Sequence, residues 1–286
     1  MTGPAAGGLT LQQVTFRYPG ADHDALTDIS LSCAPGTITW LYGALGAGCS
    51  TALLVSYGLA PAFTGGTLTG SVHLLGTDVG VATGRAALRG RVAFVTAVPA
   101  VQLSGIAETV WEEVAFAPAN LGWPIARIRA AVDAALDRLE VAHLAERHPA
   151  AVSGGELQRI VVASLLALAP DAWLLDEPGS ALDSAGHDML RDILREEARR
   201  GALVVIASED ADTMASLADR LVLLRDGRVA AVGAPRTLLA GPDLVSGIPG
   251  GTSAATLARA AEALAPCDLL APPYPITVED AVARWA

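Results

Sequence analysis

Four short runs in this chain are apolar almost from end to end: TITWLY (37–42), RVAFVT (91–96), AWLLD (172–176) and LVVIAS (203–208). Strands without polar alternation are buried on both faces, and such strands belong to parallel sheets covered by helices. Helical stretches lie between them, at IARIRAAVDAALDRLE (125–140), over 156–168, and at SAGHDMLRDILREEARR (184–200). This alternation predicts an α/β fold with a mostly parallel sheet. Outside that core, LTLQQVTFRY alternates and predicts a strand over 9–16, while LVLLRDGRVAAVG (221–233) predicts a hairpin around Asp226-Gly227. From Ala234 the chain becomes rich in Gly, Pro and Ala, with helical pieces at 254–264 and 278–285. The expected organisation is a main domain over 1–234 and a small helical appendage over 235–286.

With 286 residues and 52% hydrophobic side chains, the chain can bury a sizeable core. Its formal net charge of -11 excludes a general nucleic-acid binder, which needs an excess of basic residues to neutralise phosphates. Cys33, Cys49 and Cys267 are far apart and odd in number, which fits a reducing compartment without a disulfide framework. The five histidines lack zinc-ligand spacing. The start, MTGPAAGG, has neither the basic residues nor the apolar stretch of a secretory signal. The most apolar run, IVVASLLALA from Ile160, is too short to span a bilayer. The expectation is a soluble, intracellular chain able to sit on a membrane protein.

The chemistry-bearing motifs fall at strand ends and helix starts. GALGAGCST (43–51) follows the first apolar strand and opens a helix near Ser50. Gly43, Gly48, Ser50 and Thr51 fit the phosphate-loop pattern G-x-x-x-x-G-K-[ST], with Gly46 a further glycine inside the loop, and Cys49 stands where the pattern has lysine. Taken alone, the stretch is either a phosphate loop or a Gly-rich turn. VSGGELQR (152–159) sets Ser153, Gly154, Gly155 and Glu156 at the start of a helix, where free N–H groups and the dipole favour an anion. LLDEP (174–178) ends an apolar strand with two carboxylates: Asp176 suits a magnesium shell and Glu177 suits polarising an attacking water. GSALD (179–183) follows at once, and the next strand ends in ASED (207–210).

In order and spacing these motifs resemble those of the ATP-binding subunits of ABC transporters, over nearly the whole chain. GALGAGCST stands at the Walker A position, VSGGE resembles the LSGGQ signature, LLDEP matches Walker B, and SALD resembles the D-loop. The resemblance implies ATP and Mg²⁺ as cofactors, an antiparallel β subdomain beside the parallel core, and a helical signature subdomain at about 98–168. It also implies an aromatic stacked on adenine at Tyr18. VPAVQL (98–103) and ETVWEEVAFAPANLGWP (108–124) resemble, more narrowly, the NPxxQL...TVxDEVAFGPxNLGLP segment of the energy-coupling-factor importers for vitamins and transition metals. The tail PYPITVEDAVARW resembles that group's C-terminal extension. The implied partners are a second ABC ATPase subunit, a transmembrane coupling subunit and a substrate-binding membrane subunit, with no nucleic acid. The implied location is cytoplasmic, peripheral on the inner face of the membrane.

Three positions depart from the family pattern. Cys49 replaces the Walker A lysine, Ala97 the Q-loop glutamine (Gln102 matches only a second glutamine) and Glu209 the switch histidine. In the family these three act on the γ-phosphate, its magnesium or the attacking water of one site. Each charge-assisted hydrogen bond lost with the lysine is worth about 1.5–3 kcal/mol. An ionised Glu209 within about 4 Å of a phosphate oxygen repels it by roughly 4 kcal/mol at an effective dielectric near 20. Family members dimerise head to tail, each site borrowing signature and D-loop from the other chain. Ser153 to Gly155 and Ser180 to Asp183 match the family, so the departures fall mostly on the chain's own site, where Glu177 is the exception, an intact acid among them. The expectation is the degenerate half of a heterodimeric ATPase, lending its signature to a partner. The alternatives are a catalytically inactive scaffold or regulator, and a soluble ABC protein acting on DNA or ribosomes. The acidic balance and the lack of a long coiled-coil insertion oppose the last.

Overall fold

The structure is a computed structural model that describes residues 7–239. Two sheets organise it. In the first, β1 (Leu9–Arg17) pairs antiparallel with β2 (Leu26–Cys33) and with β4 (Thr67–Leu74), and β5 (Thr77–Asp78) adds to β4. The second holds β3 (Ile38–Tyr42), β6 (Val92–Val95), β7 (Ala172–Asp176), β8 (Leu203–Ala207), β9 (Arg220–Arg225) and β10 (Arg228–Gly233). Its order is β10-β9-β3-β8-β7-β6, parallel throughout except for the β9–β10 hairpin.

The apolar strands are buried on both faces because the period of two sends alternate side chains into two different cores. Trp40, Tyr42, Trp173, Leu175, Val204 and Ile206 join one core. That core is covered by α3 (Val110–Asn120), α4 (Ile125–Arg138), α5 (Gly154–Leu166) and α6 (Ser184–Arg199). Leu41, Leu174, Val205, Val222 and Leu224 face the other core, with α1 (Cys49–Tyr57) and the antiparallel sheet. Three short helices complete the described chain: α2 (Ala82–Ala87), α7 (Ala211–Leu217) and α8 (Pro235–Leu239). Among the described residues no helix is long and apolar enough to cross a membrane.

The apolar runs form strands within about a residue of the expected bounds, and the hairpin turns where the sequence places it. Asp226 and Gly227 both take positive φ, 49° and 71°, as a two-residue hairpin turn requires. The helix expected from 156 begins two residues earlier, because Ser153 is its N-cap. The segment 108–124 holds α3, a helix that its internal Pro118 obscures and that a Thr109–Glu112 capping box announces. At the expected domain boundary, α8 packs onto the main body, with Leu239 buried in its core. The rest of the expected appendage, with its two helical pieces, and Cys267 lie outside the described residues. Cys33 and Cys49 are free thiols.

The two sheets meet beside the glycine loop. Thr27 N–H donates to the Gly227 carbonyl at 2.7 Å, and Gly227 N–H to the Ala47 carbonyl at 3.1 Å. A Cβ on Gly227 would stand 2.7 Å from the Ala25 carbonyl oxygen, whereas Gly76, at a similar φ of 76°, has nothing within 4 Å. Gly76→Ala should therefore cost about 1–2 kcal/mol, the left-handed backbone penalty alone. Gly227→Ala should cost clearly more in urea unfolding. Equal losses would show that the seam at Ala25 is slack.

Candidate functional site

β3 ends at Tyr42, and residues 43–48 turn the chain into α1. Gly43 is pressed against the β9 backbone, where a Cβ would stand 2.6 Å from the Leu224 carbonyl oxygen. Gly48, with φ 105°, is the N-cap of α1, and no side chain caps that end. The first-turn amides of α1 therefore remain for an anion. The loop frames a cavity of about 450 Å³. Gly43 to Thr51 form one wall, and Ala97, Asp176, Glu177, Ser180, Ser208 and Glu209 close the others. Parallel pairing brings these groups together, since the carboxyl ends of β3, β7 and β8 share one sheet edge.

Ser50 and Asp176 already meet, with the Ser50 hydroxyl donating to Asp176 Oδ1 at 3.0 Å. A hydroxyl beside a carboxylate, below free amides, fits the magnesium and phosphates of a nucleotide. Among the described residues no three His, Cys, Asp or Glu side chains converge to hold a metal by themselves. The Ser50–Asp176 pair offers two oxygen ligands, too few to hold a magnesium ion alone. Tyr18 is not among the residues lining the cavity. Its hydroxyl lies 3.2 Å from the Thr51 hydroxyl, and its ring stands edge-on to Phe16 at 4.8 Å. Gln102 faces the chain's own backbone instead: it donates to the Phe94 carbonyl at 2.6 Å and accepts from Thr96 N–H at 2.9 Å.

The electrostatics of the cavity are one-sided. Among the described residues Asp176, Glu177 and Glu209 line it, and no arginine or histidine does. The chain has no lysine anywhere: all 19 of its Lys and Arg residues are arginine. Burial pushes the Cys49 thiol up to about 12, with help from the Asp176, Glu177 and Glu209 carboxylates. Cys49 is thus a neutral thiol where the phosphate-loop pattern has a cation. Burial also raises Asp176, against the Ser50 hydrogen bond, and raises Glu177, against hydrogen bonds from Glu209 and Ser208.

Ser153, Gly155 and Glu156 line a different depression, of about 240 Å³, together with Arg159, Ala181 and Asp183. Here Ser153 and Glu156 form a capping box at the start of α5. The Ser153 hydroxyl accepts from Glu156 N–H at 3.4 Å, and the Glu156 carboxylate accepts from Ser153 N–H at 2.7 Å. That backbone bond holds the Glu156 carboxyl below its ordinary range. Gly154 is exposed, and Gly155 approaches the Ala181 carbonyl so closely that a Cβ would lie 3.2 Å from it. Two neighbours on α5 reach the segment after β7. The fully buried Gln158 donates to the Pro178 carbonyl at 2.7 Å, and Arg159 meets Asp183 at 3.3 Å. Asp183 in turn caps α6 by accepting from Gly186 N–H at 2.8 Å. The GSALD segment is thereby pinned at both ends to the helix that SGGE opens. Within one chain the SGGE residues do not line the loop cavity, whereas Ser180 of GSALD does.

A family profile described as "ABC transporter" matches residues 26–180. The energy-coupling factor transporter ATP-binding protein of Methanospirillum hungatei is 35% identical over 238 residues, 83% of this chain. The chain spans 58% of that relative's length. The nickel import ATP-binding protein of Rhodobacter capsulatus is 39% identical over 239 residues, covering 80% of this chain and 90% of the relative. Among solved structures, cbiO1 from Clostridium perfringens, part of the ABC transporter complex cbiONQ, superposes with a TM-score of 0.71 at 25% identity. The match covers 83% of this chain and 92% of that one.

Asp176 offers a test of the cavity's electrostatics by pH. Its folded pKa is raised above the ordinary 3.8, so the folded state holds the proton more tightly than the unfolded one. The stability this gives is fully present below about pH 3.8 and is lost as pH rises through the folded value. Asp176→Asn keeps an acceptor for Ser50 and has no charge to bury. It should melt above the wild type at pH 8, with the gain vanishing towards pH 3.5. A thermal shift that is constant across this pH range would remove the buried-charge explanation.

Proposed function

The chain belongs to the ABC transporter ATP-binding family, and we propose that it is the ATP-binding subunit of an energy-coupling-factor-type importer, acting as the degenerate half of a heterodimeric ATPase. One contrast carries this reading. The chain's own loop cavity holds three carboxylates and no cation, while its SGGE and GSALD elements are intact and hydrogen-bonded into one body. The names of the relatives from M. hungatei and R. capsulatus support the importer class. The partners are then a second ABC ATPase subunit, a transmembrane coupling subunit and a substrate-binding membrane subunit, at the cytoplasmic face of the membrane.

In this reading the chain's own site keeps the groups that bind nucleotide and lacks those that drive turnover. The amides of Cys49, Ser50 and Thr51 face the phosphates, and Ser50 and Asp176 hold magnesium. Mg²⁺, where bound, supplies charge neutralisation. Cys49 supplies none, Ala97 presents a methyl group where a glutamine would order water, and Glu209 adds negative charge beside Glu177. The opposite face works in trans: Ser153 and the amides of Gly154 and Gly155 contact the γ-phosphate held by the partner chain. The dipole of α5 adds to that contact.

Two measurements test it. In the reconstituted complex at matched stoichiometry, Ser153→Arg should abolish ATP hydrolysis and uptake, whereas Cys49→Ala should leave both nearly unchanged. An active Ser153→Arg complex would reduce this chain to a structural companion. In the isolated chain, Cys49→Lys should tighten ATP binding by about 10- to 100-fold, the return for one charge-assisted hydrogen bond. It should not restore turnover by itself, because Ala97 and Glu209 remain. Rapid hydrolysis by the single variant would show that the thiol alone had silenced the site.

A further inference from the structure

Among the described residues, Glu177 is the one acidic group of the loop cavity with both carboxylate oxygens committed to protein donors. Its Oε2 accepts from the Ser208 hydroxyl at 3.0 Å, and its Oε1 accepts from the Glu209 N–H at 2.7 Å. Ser208 Oγ in turn accepts from Asp210 N–H at 3.1 Å, and Asp210 caps α7 through Thr213 N–H at 3.1 Å. The Glu177 side chain thus closes the turn that joins β8 to α7. The Glu177 backbone is in the left-handed region at φ 46°, and its N–H donates to the Ala207 carbonyl at 2.9 Å. A non-glycine residue held there needs surrounding bonds to hold it.

The same residue leads into the GSALD segment, and each carbonyl of that start is taken. Ser180 N–H donates to the Glu177 carbonyl at 3.2 Å, Gln158 to that of Pro178 at 2.7 Å, and His187 Nε2 lies 2.8 Å from that of Gly179. A carbonyl only accepts, so Nε2 is the donor in that contact, and Nδ1 stands 3.6 Å from Asp210 Oδ2, beyond hydrogen-bond reach. From Glu177, side-chain hydrogen bonds therefore run through Ser208 to Asp210, while its main chain starts the segment held at Pro178 by Gln158 and at Gly179 by His187.

The structure assigns Glu177 as a positioning residue: its carboxylate locks the β8–α7 turn to the start of the GSALD segment, and so shapes the face that this chain presents to a partner's ATP site. The assignment rests on the proposed division of labour between own site and lent face. It gives a reason for an acid to persist in a cavity without a cation. Its work there is to accept two hydrogen bonds, and hydrolysis at this chain's own loop is not required of it.

The role predicts opposite outcomes for two substitutions. Glu177→Gln would keep an acceptor for Glu209 N–H and offer an amide donor to Ser208 Oγ, whereas Glu177→Ala would remove both bonds. In the reconstituted complex, Glu177→Gln should hydrolyse ATP within about twofold of wild type. Glu177→Ala should lose about tenfold or more in kcat, the loss expected for a charge-assisted bond at a positioned loop. KM for ATP should be unchanged, since the partner's own loop binds the nucleotide. In Glu177→Ala the backbone amide of Glu209 should also exchange with deuterium faster than in wild type. Loss of activity in both variants would make Glu177 a catalytic base and overturn the assignment, and so would full activity in both. Ser153→Arg, assayed alongside, isolates the premise: if that complex stays active, the lent face itself is wrong, whatever the Glu177 variants do.

Discussion

β3, β8 and β7 are neighbours in space and far apart in sequence, and they pair in parallel. Parallel pairing sends all three carboxyl ends to one edge of the sheet. The loop after β3 brings the glycines and Ser50 there, the turn after β7 brings Asp176 and Glu177, and the turn after β8 brings Ser208 and Glu209. Trp40 fixes the last of these by donating its indole N–H to the buried Ser208 carbonyl at 2.8 Å. A register slip of one residue in β8 would send its side chains to the wrong core and carry Ser208 away from Glu177. The site is thus a consequence of strand order, with little freedom left to its loops.

What that edge assembles is electrically unbalanced. A phosphate site normally sets cations and amide dipoles against the negative charge of its ligand. Here only dipoles and a bound metal are available, and three carboxylates stand opposite. The Cys49 thiol cannot relieve this, because burial among those acids keeps it protonated. It also adds no further charge: a thiolate there would deepen the repulsion, and the same fields that forbid it make the substitution tolerable. Glycine conformation and close backbone contacts with Leu224 and Ala25 set the shape of the loop.

The parts of this arrangement that are local in sequence are legible there. The apolar runs give the central strands, Asp226-Gly227 gives the hairpin, and the glycines, LLDEP and SGGE give the positions of the acids and the amides. Elements whose signal is tertiary are not legible. β2 and β4 exist because they flank β1, and nothing in their own composition sets them apart as strongly as TITWLY. Gln158, His187 and Ser208 look like ordinary helix and strand-end residues until the fold brings them to Pro178, Gly179 and Glu177. Gln102 reads as a match to a family glutamine, and its amide is spent on Phe94 and Thr96. Glu113 reads as one of two acids on a helix, yet it is buried and accepts from both Ser104 N–H and the Ser104 hydroxyl at 2.7 Å. In each case the partner lies across a turn or a sheet, and a single sequence carries no mark of it.

Glu177 shows how such hidden bonds tie a site residue to the structure around it. A lysine in place of Cys49 would project into the cavity from the start of α1, and a glutamine in place of Ala97 would reach it from the loop after β6. Among the described residues, the Cys49 and Ala97 side chains make no hydrogen bond to another segment. Cys49 and Ala97 can therefore stand in those places at no structural cost beyond the lost ligand contacts. Glu177 differs because its two acceptors hold the backbone of Glu209 and the hydroxyl of Ser208, and because its own main chain starts the segment that Gln158, His187 and Arg159 fasten. Removing it would leave a donor unpaired in a partly buried turn, at a cost of about 1–3 kcal/mol, and would loosen the segment beside the SGGE helix. One acid thus ties the β8–α7 turn, through its carboxylate, to the start of the GSALD segment, through its main chain.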